Sequence, residues 1–347
     1  MRKVLTILFL SIYSFVFAQT KYTIRTVAFY NLENLFDTIN AVNSLDEMSP
    51  ILKMKGNKSE VYWDKIDKLS YVLSQIGSDK TKTSPAIIGV AEVENDSVLT
   101  DLINSNHLKN KKYDFIHFNS PDKRGIDVAL LYQKKYFKPI HYQKFNPNIY
   151  QNNYKIYTRD ILWVAGYLDN ELVNIIVNHW PSRRGGEATS SHLRQKAAYK
   201  VNQIISSIKS NDANAKIIIM GDFNDDPTND SFKKVLRAKA KKSGLKPDDI
   251  YNPFEGMFKK GMNTLGHRDQ INLFDQILTS SSLVNTNKND NYSNFKIYKA
   301  GIFNKQFLIQ QKGKFKGYPF RSFNWNSYTG GYSDHFPVYI YLIKEMD

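Results

Sequence analysis

The chain has 347 residues, of which 41% are hydrophobic, so it is long and apolar enough to bury a sizeable core. Its formal net charge of +15 favours a polyanionic partner or an anionic surface, although solubility alone explains such a charge in many proteins. Cysteine is absent, which excludes disulfides, a thiolate nucleophile and cysteine-ligated zinc or iron–sulfur centres.

The first twenty residues, MRKVLTILFLSIYSFVFAQT, have the pattern of a secretory signal peptide. Two basic residues precede an apolar run from Val4 to Phe17, and the small residue Ala18 follows it. The run is shorter than the roughly 20 residues of a membrane span, and no later segment supplies one. We predict cleavage near Ala18 (signal peptide 1–18) and a secreted or periplasmic protein. Since no linker or repeat interrupts residues 19–347, we predict one catalytic domain there.

Eight short apolar segments predict β-strands, because they are brief and rich in β-branched and aromatic residues. Several are apolar on both faces, as expected of strands in a sheet that is covered on each side. In chain order they are TVAFYNL (26–32), AIIGVAEV (86–93), DVALLYQ (127–133), ILWVAGYL (161–168), LVNIIVNHW (172–180), KIIIMG (216–221), LFDQILT (273–279) and FPVYIYL (336–342).

Three segments between these strands have a helical pattern. In residues 59–77, apolar side chains recur every three or four positions, and Ser59 is the predicted N-cap. A second helix is predicted over 190–208. A third, rich in lysine, is predicted over 230–242, and we interpret its lysines as a solvated face rather than a phosphate site. Strands that alternate with helices predict an α/β sandwich.

The segment 303–330 is rich in lysine and aromatic residues and is predicted to be a long loop. We interpret it as an arm that reaches into a nucleic-acid groove, or, as the less favoured alternative, as a contact with a membrane interface. The sequence shows no apolar hairpin of the kind that suits membrane contact.

Acids, amides and histidines recur where the predicted strands stop. Each one alone is explained by a cap, a turn or a hydrogen-bonded edge position. Their repetition at strand ends is harder to explain in that way. Four strands end in such residues, which are Asn31, Glu33, Glu92, Glu94, His179, Asp222 and Asn224. Two more acids and a histidine come from the C-terminal third, with Asp275 inside LFDQILT and with Asp334 and His335 directly before FPVYIYL.

This mixture suits metal-assisted phosphodiester hydrolysis. A hard cation such as Mg²⁺ takes about six oxygen ligands and keeps several waters, so one or two carboxylates and an amide oxygen suffice. Histidines transfer protons near neutral pH when a carboxylate fixes their tautomer. Zinc fits less well, because no His-x-x-x-His spacing occurs. We therefore predict Mg²⁺ as the cofactor, with Mn²⁺ or Ca²⁺ as alternatives.

Seven segments, in this order, resemble the endonuclease/exonuclease/phosphatase superfamily. That superfamily includes pancreatic-type deoxyribonuclease, abasic-site endonucleases, sphingomyelinases and inositol-polyphosphate phosphatases. The resemblance spans residues 26–340, and it implies a four-layer α/β sandwich of two packed mixed β-sheets flanked by helices. The segments are AFYNLEN, IIGVAEVEN, RGIDVALLY, IVNHWPSRRGG, GDFND, FDQIL and SDHFPV, of which GDFND and SDHFPV are the most specific.

The resemblance implies a metal site built from three side chains. Glu92 is the implied principal ligand, with Asn31 beside it, and Asp334 either ligates the ion or holds a metal-bound water. Glu94 would face the same way as Glu92 in a regular strand and is the alternative ligand. The residue before Glu92 is often Gln in the family and is Ala91 here, a departure that removes no ligand.

The resemblance also implies the groups that act on water and phosphate. Asp222 and Asn224 would bind and orient the attacking water and a phosphate oxygen. His335 would contact the scissile phosphate, with Asp275 as its orienting carboxylate, and the water's proton goes to either Asp222 or His335. His179, on the opposite side, would be the general acid for the leaving oxygen.

Three arginines are predicted to bind substrate phosphates. Arg159 matches a position that grips a phosphate in the family, a task that suits a guanidinium. Arg124 precedes an apolar strand together with Asp127, which either orients His179 or is an ordinary residue at a strand start. Arg183 and its neighbour follow His179 in a Gly-rich loop, and they either clamp a phosphate, which we favour, or extend into water.

The leading prediction is an exported Mg²⁺-dependent nuclease that cuts DNA or RNA without sequence selectivity, since basic charge favours a polyanion and no recognition motif appears. Nucleic acid is thus the predicted partner, as substrate, and neither stable membrane insertion nor a protein partner is predicted. The alternatives are a sphingomyelinase-like phospholipase C or an inositol-phosphate phosphatase on the same scaffold. A catalytically inactive binding protein is disfavoured, because every catalytic position carries a competent side chain.

Overall fold

The computed structural model describes residues 21–41, 46–47, 49–267, 270–285 and 292–346. The predicted signal peptide, residues 1–18, lies outside the described residues. Among the helices of the described residues, none combines the length and the hydropathy that a membrane crossing requires.

Most strands of the described residues belong to two large sheets, and the others form short hairpins. In chain order they are β1 (Tyr22–Leu35), β2 (Ile87–Val93), β3 (Tyr113–His117), β4 (Asp127–Gln133), β5 (Phe137–Phe145), β6 (Tyr150–Gln151), β7 (Tyr154–Lys155), β8 (Ile161–Leu168), β9 (Glu171–His179), β10 (Lys216–Asp222), β11 (Ile250–Tyr251), β12 (Leu265–His267), β13 (Gln270–Asn272), β14 (Asp275–Ser280), β15 (Lys296–Ile302), β16 (Phe323–Asn324), β17 (Ser327–Tyr328) and β18 (Val338–Glu345).

Within the described ranges, each large sheet has six strands, in the orders β15-β18-β1-β2-β4-β3 and β11-β14-β10-β9-β8-β5. Strand β1 runs parallel to β2, and β9 runs parallel to β10. The other pairs in the two sheets are antiparallel. Both sheets are therefore mixed, as predicted.

Helices cover the outer faces of the two sheets. Helices α2 and α4 contribute to a core that they share with the first sheet, whereas α5 packs on the outer face of the second. The described helices are α1 (Pro50–Lys53), α2 (Lys58–Gln75), α3 (Ser78–Thr81), α4 (Asp96–Asn104), α5 (Glu187–Asn211) and α6 (Phe254–Phe258), with short 3-10 turns at Lys109–Lys111, Ser281–Leu283 and Gln306–Leu308.

Strand β10 shows how the layers are joined. Its alternate residues Ile218 and Met220 pack in the core between the sheets, whereas Ile217 and Ile219 pack against α5. Burial of each such side chain contributes about 1.5–3 kcal/mol to folding. A Cβ atom on Gly89 would lie 2.5 Å from the Met220 sulfur, so glycine allows the close approach of the sheets here. The predicted four-layer sandwich is confirmed.

All eight predicted strands are present, but strands at the sheet edges were not predicted. Strands β3 and β5 each end a sheet, and β15 ends the first sheet on its other side. Most residues of β5 after Phe137 are exposed, so the strand carries no apolar run. An edge strand is held by backbone pairing rather than by burial on both faces, and its sequence therefore resembles a loop.

Two helix predictions need correction. Helix α2 begins at Lys58, and its N-cap is Asn57, whose side chain accepts a hydrogen bond from Glu60 N–H, so the assignment of Ser59 was wrong. The lysine-rich helix predicted over 230–242 is also wrong, because only one π-helical turn forms, at Ser231–Val235. The chain then passes through Arg237 in a left-handed conformation (φ 52°) and pairs with β11, which ends the turn.

Candidate active site

Strand direction brings the predicted site residues to one end of the two sheets. Parallel strands β1 and β2 carry Asn31 and Glu92 toward that end. Parallel strands β9 and β10 finish at His179 and Asp222, which pair directly across the sheet. Strand β14 is antiparallel and begins there, with Asp275 opposite Asp222. Side chains that are far apart in the sequence are thereby gathered in one place.

A buried histidine–aspartate pair forms one side of the site. The Nδ1 atom of His335 lies 2.7 Å from Oδ2 of Asp275, which is fully buried. The backbone N–H of Asp275 donates to Oγ1 of Thr264, and that of His335 donates to Oγ of Ser333. Burial opposes the charged imidazole, but Asp275 and then Asp222 raise the pKa of His335 well above its ordinary value. Asp275 therefore holds the His335 imidazole in a fixed orientation and favours its charged form.

Asp222 lies between the two histidines. Its Oδ1 accepts from the backbone N–H of Asn224 at 3.0 Å, and its Oδ2 accepts from Nδ2 of Asn31 at 3.1 Å. The same Oδ2 lies 3.5 Å from Nε2 of His179 and 3.9 Å from Nε2 of His335. Burial raises the pKa of Asp222 to about 6, although the positive charge of His335 lowers it. The carboxylate is thus a proton acceptor suited to neutral pH.

His179 faces Asp222 and Glu92 through one ring nitrogen. Its Nε2 lies 3.9 Å from Oε1 of Glu92, while its buried Nδ1 has no hydrogen-bond partner among the described residues. Burial, followed by the positive charges of Arg159 and Arg124, holds the pKa of His179 well below its ordinary value. The imidazole is neutral before a substrate binds.

Asp127 does not orient His179. It accepts from the backbone N–H of Ser120 at 2.8 Å, and its Oδ2 lies 3.1 Å from Nε2 of His117. The hypothesis that Asp127 is the partner of His179 was therefore wrong, and the interpretation as a residue that stabilises the strand start holds.

The strand is irregular at Glu92, which decides between the two candidate glutamates. Glu92 has φ 62°, and the pairing of β2 with β4 passes from Ala91 to Val93. The expectation that Glu94 would face the same way was therefore wrong. Oε1 of Glu92 lies 3.2 Å from Nη2 of Arg124. Burial raises the pKa of Glu92, but the charge of Arg124 lowers it, and the pKa is below its ordinary value. Glu94 instead accepts from the backbone of residue 37, and burial raises its pKa to about 8.

Two groups of side chains are candidates to hold a cation. Glu92, Asn31 and Asp334 offer oxygen atoms only, and one third of the Asp334 side chain is exposed, with Arg321 at 3.4 Å as its near cation. Such donors fit a hard divalent ion. Ligand atoms of Asp222, Asp275 and His335 also lie within 4.8 Å of one another. That second group fits a hard cation less well, because it includes a nitrogen donor and because Nδ1 of His335 and Oδ2 of Asp275 are already paired with each other at 2.7 Å.

The three predicted phosphate-binding arginines lie in different environments. Arg159 is buried and donates to Asp122 and to the backbone carbonyls of His179 and Trp180. These contacts fix the end of β9 and differ from the phosphate contact predicted for Arg159. The side chain of Arg124 lies beside Glu92 and is 46% exposed, in contrast to the buried Arg159.

Arg183 braces the loop that carries Asn224. Its Nε donates to the backbone carbonyl of Asn224 at 2.9 Å, and its Nη2 donates to Asp226 at 3.1 Å. Asn224 has φ 51°, a left-handed conformation that asparagine adopts more readily than most residues other than glycine. Arg183 supports this loop, and its contacts are neither the phosphate clamp that the sequence analysis favoured nor an extension into water.

A buried lysine under the site was missed. Lys65 is 2% exposed, and its Nζ donates to Oγ of Ser322 at 2.7 Å and to the backbone carbonyl of Glu33. The Glu33 carboxylate accepts from the N–H and the hydroxyl of Ser322 and from the N–H of Phe323. The available signal was the spacing of Lys65 with Tyr62 and Leu69, which puts it on the apolar face of α2.

The segment 303–330 contains a hairpin that the sequence analysis did not find. Strands β16 and β17 pair, and Trp325 at their turn is 89% exposed with φ 56°. This hairpin is not the apolar one that the sequence analysis looked for, because Trp325 is its one exposed apolar side chain, between the exposed Asn324 and Asn326. Each strand is only two residues long, and Asn324 and Ser327 interrupt the apolar residues, so no run was visible.

A model of the family described as "Endonuclease/Exonuclease/phosphatase family" matches residues 26–344. No curated protein matches the chain.

The human Nocturnin catalytic domain with bound sulfate is 14% identical, with a TM-score of 0.55, and 94% of this chain and 98% of that chain are covered. A mannosyl-6-phosphatase of Bacteroides thetaiotaomicron VPI-5482 is 18% identical, with a TM-score of 0.55 and coverage of 92% and 99%. D. rerio TDP2 complexed with single strand DNA product is 14% identical, with a TM-score of 0.54 and coverage of 92% and 99%. At these identities the similarity shows the fold.

Proposed function

The chain belongs to the endonuclease/exonuclease/phosphatase family, whose members are phosphoester hydrolases, and we propose that it is an exported, Mg²⁺-dependent phosphodiesterase that hydrolyses nucleic acid. The observation that carries this proposal is the position of Asp222, 3.5 Å from the neutral His179 and 3.9 Å from the cationic His335. A proton acceptor between two histidines of different charge suits the attack of water on a phosphodiester.

Enzymes of this family generally use divalent metals. Here Glu92, Asn31 and Asp334 would hold Mg²⁺, because they supply only oxygen ligands and include the carboxylate that is open to solvent. Manganese or calcium would be accommodated by the same donors. When bound, the cation supplies positive charge to the phosphate and to the acids around it.

Asp222 and Asn224 would act on the attacking water. The water's oxygen forms a bond to phosphorus, and its proton passes to the Asp222 carboxylate. His335 is already protonated and paired with Asp275, so the structure favours Asp222 over His335 as the base. The imidazolium instead donates a hydrogen bond to a phosphate oxygen, where negative charge develops.

His179 would act on the leaving oxygen. On substrate binding His179 takes up a proton from solvent. As the bond between phosphorus and the leaving oxygen breaks, that proton passes to this oxygen, which departs as an alcohol, while the phosphorus, now bonded to the oxygen of the water, remains as a phosphomonoester. The pKa of His179 is low in the free protein, and the charge of a bound phosphate raises it, because a nearby anion favours the protonated form. Arg159 is proposed as a positioning residue, since it holds the backbone of His179.

The charge of the molecule supports a polyanionic substrate. The formal net charge is +15, and the release of counterions by basic side chains supplies much of the affinity for nucleic acid. Arg124 lies at the site with nearly half of its side chain exposed, so it can reach a phosphate. The neighbour D. rerio TDP2 was solved with single strand DNA product, which supports the proposal of a nucleic-acid substrate.

Two observations favour other esters as the second candidate substrates. The exposed Trp325 on a hairpin is a feature that suits lipid contact, as in a sphingomyelinase-like phospholipase C. A neighbour named as a mannosyl-6-phosphatase shows that the fold also serves a phosphomonoester, which keeps an inositol-phosphate phosphatase as an alternative.

The test is a substrate panel with the purified protein. Plasmid DNA, RNA, sphingomyelin vesicles and an inositol polyphosphate are each incubated with Mg²⁺ and with Mg²⁺ plus chelator. We expect cleavage of nucleic acid that the chelator abolishes, and a loss of at least about 100-fold in His179→Ala and Asp222→Ala. Turnover of the lipid or the inositol phosphate alone would transfer the function to that ester, and full activity in either variant would refute its role.

A further inference from the structure

An aromatic cleft lies next to the candidate active site. It has a volume of about 730 Å³, and its walls include Phe315, Tyr318, Trp325, Lys314 and Arg321. Ligand pockets fall in the range of roughly 300–1,000 Å³ and combine apolar rings with a few polar groups. In size and chemistry the cleft therefore suits a small organic group.

The cleft is continuous with the site through Asp334. This residue lines the cleft, and its Oδ1 lies 3.9 Å from Nε2 of His335, the group proposed to bind the scissile phosphate. Arg321 lines the cleft and contacts Asp334 at 3.4 Å. A molecule whose phosphate lies at His335 can consequently place an adjacent ring in the cleft.

The hairpin that carries Trp325 is fixed at its base. Glu33 accepts hydrogen bonds from Ser322 and Phe323, and the hydroxyl of Tyr328 donates to Asp64. Trp325 is nevertheless 89% exposed and has a left-handed backbone. A strained, exposed tryptophan on an anchored base costs stability, and such costs are concentrated at binding sites.

The opposite wall is also shaped by close packing. The Tyr318 ring lies against the backbone of Gly266, where a Cβ atom would approach the ring to within 2.6 Å. Both residues line the cleft. Tyr318 is thus seated by a glycine in β12, and the wall has a defined position.

We propose that this cleft receives one unpaired nucleobase adjacent to the scissile phosphate, with Trp325 as the stacking platform. This inference rests on the proposed nuclease function. Aromatic rings stack on the face of any base, while Lys314 and Arg321 complement the phosphates on either side. A base within a duplex is paired and stacked, so it enters the cleft only after leaving the helix. Single strands and unpaired ends are therefore the preferred substrates of this site.

The composition of the hairpin tip favours a base over a membrane. Trp325 stands between the exposed Asn324 and Asn326, and Phe323 is buried, so the tip offers one apolar side chain. Stable membrane contact requires a larger apolar area. Trp325 also lines the same cleft as Asp334, so the two residues bound one continuous space.

The test compares single-stranded oligonucleotides that are identical except for one abasic sugar next to the cleaved bond. For the intact strand, Trp325→Ala is expected to lose about tenfold in kcat/KM, and Trp325→Phe is expected to keep most of it. For the abasic strand, the loss in Trp325→Ala should be several-fold smaller. The control variant is Tyr167→Ala, which should change neither rate. Tyr167 is an exposed aromatic residue on β8, and it pairs with Leu172, which lies on β9 seven residues before His179.

The outcomes separate the two proposals. If the wild-type protein with Mg²⁺ cleaves neither strand, the proposed function fails and the cleft loses its assigned ligand. If it cleaves both strands and Trp325→Ala lowers both rates equally, or neither, the nuclease stands and the base subsite is refuted. Binding of sphingomyelin vesicles that depends on Trp325, without the base-dependent loss, would assign the hairpin to a membrane and also refute the subsite.

Discussion

The pairing of Asp275 with His335 makes a quantitative prediction for the variant Asp275→Asn. The carboxylate is fully buried, and its Oδ2 lies 2.7 Å from Nδ1 of the imidazole. A hydrogen bond to a charged group contributes about 1.5–3 kcal/mol. Because 1.36 kcal/mol corresponds to a factor of ten in rate, kcat should fall about 10- to 150-fold.

The assay is the initial rate of cleavage of a labelled single-stranded oligonucleotide at saturating Mg²⁺. The reduction should appear in kcat rather than in KM, since Asp275 acts on His335 and not on the bound strand. In a His335→Ala background, Asp275→Asn should cause little further loss, because the two residues act as one unit.

The matched control is Asp127→Asn, which removes a buried carboxylate from another histidine, His117, at 3.1 Å. Its kcat should stay within about twofold of the wild-type value, provided that both variants remain folded by circular dichroism. A loss of less than threefold in Asp275→Asn, or full additivity with His335→Ala, would refute the proposed coupling.

Three further variants test separate parts of the structure. In Glu92→Gln, the loss of a charged ligand should raise the Mg²⁺ concentration at half-maximal thermal stabilisation by about tenfold; an unchanged midpoint would remove Glu92 from the metal site. In Lys65→Met, the backbone carbonyl of Glu33 and the hydroxyl of Ser322 lose a buried charged donor, so the free energy of unfolding should fall by about 1.5–3 kcal/mol in urea titrations. A loss below about 0.5 kcal/mol would show that these two hydrogen bonds are not needed. Burial lowers the pKa of His117, but Asp127 and Asp96 raise it above its ordinary value. The charged imidazole therefore stabilises the fold fully below about pH 6.5, and this contribution is lost as the pH rises through the raised pKa. His117→Gln should therefore cost about 1–3 kcal/mol at pH 5.5 and less at pH 9, and an equal cost at both pH values would contradict this.

The sequence predicted the centre of the molecule well for a physical reason. Strands β9 and β10 are buried on both faces, so their sequences are mainly apolar up to His179 and Asp222. The polar residues at those ends are conspicuous against the apolar run. Their convergence depends on the parallel pairing of β9 with β10, which the structure supplies.

The parts that were not predicted depend on contacts between distant segments. The irregular backbone at Glu92 is accompanied by hydrogen bonds from Asn34 and Arg124, which no local pattern encodes. The partner of Asp127 could not be chosen from spacing, because His117 and His179 are both reached only through the fold. Two-residue strands, such as those beside Trp325, are too short to show a periodicity.

The central claim is that a divalent ion is held by Glu92, Asn31 and Asp334, while Asp222, His335 and His179 act on water and phosphate. The most direct measurement is an anomalous difference map from crystals soaked in Mn²⁺, collected on the catalytically impaired His179→Ala protein. We predict a peak in contact with the Glu92 carboxylate, with Asn31 and Asp334 beside it. A peak enclosed by Asp222, Asp275 and His335 instead, or no peak at this end of the sheets, would contradict the assignment.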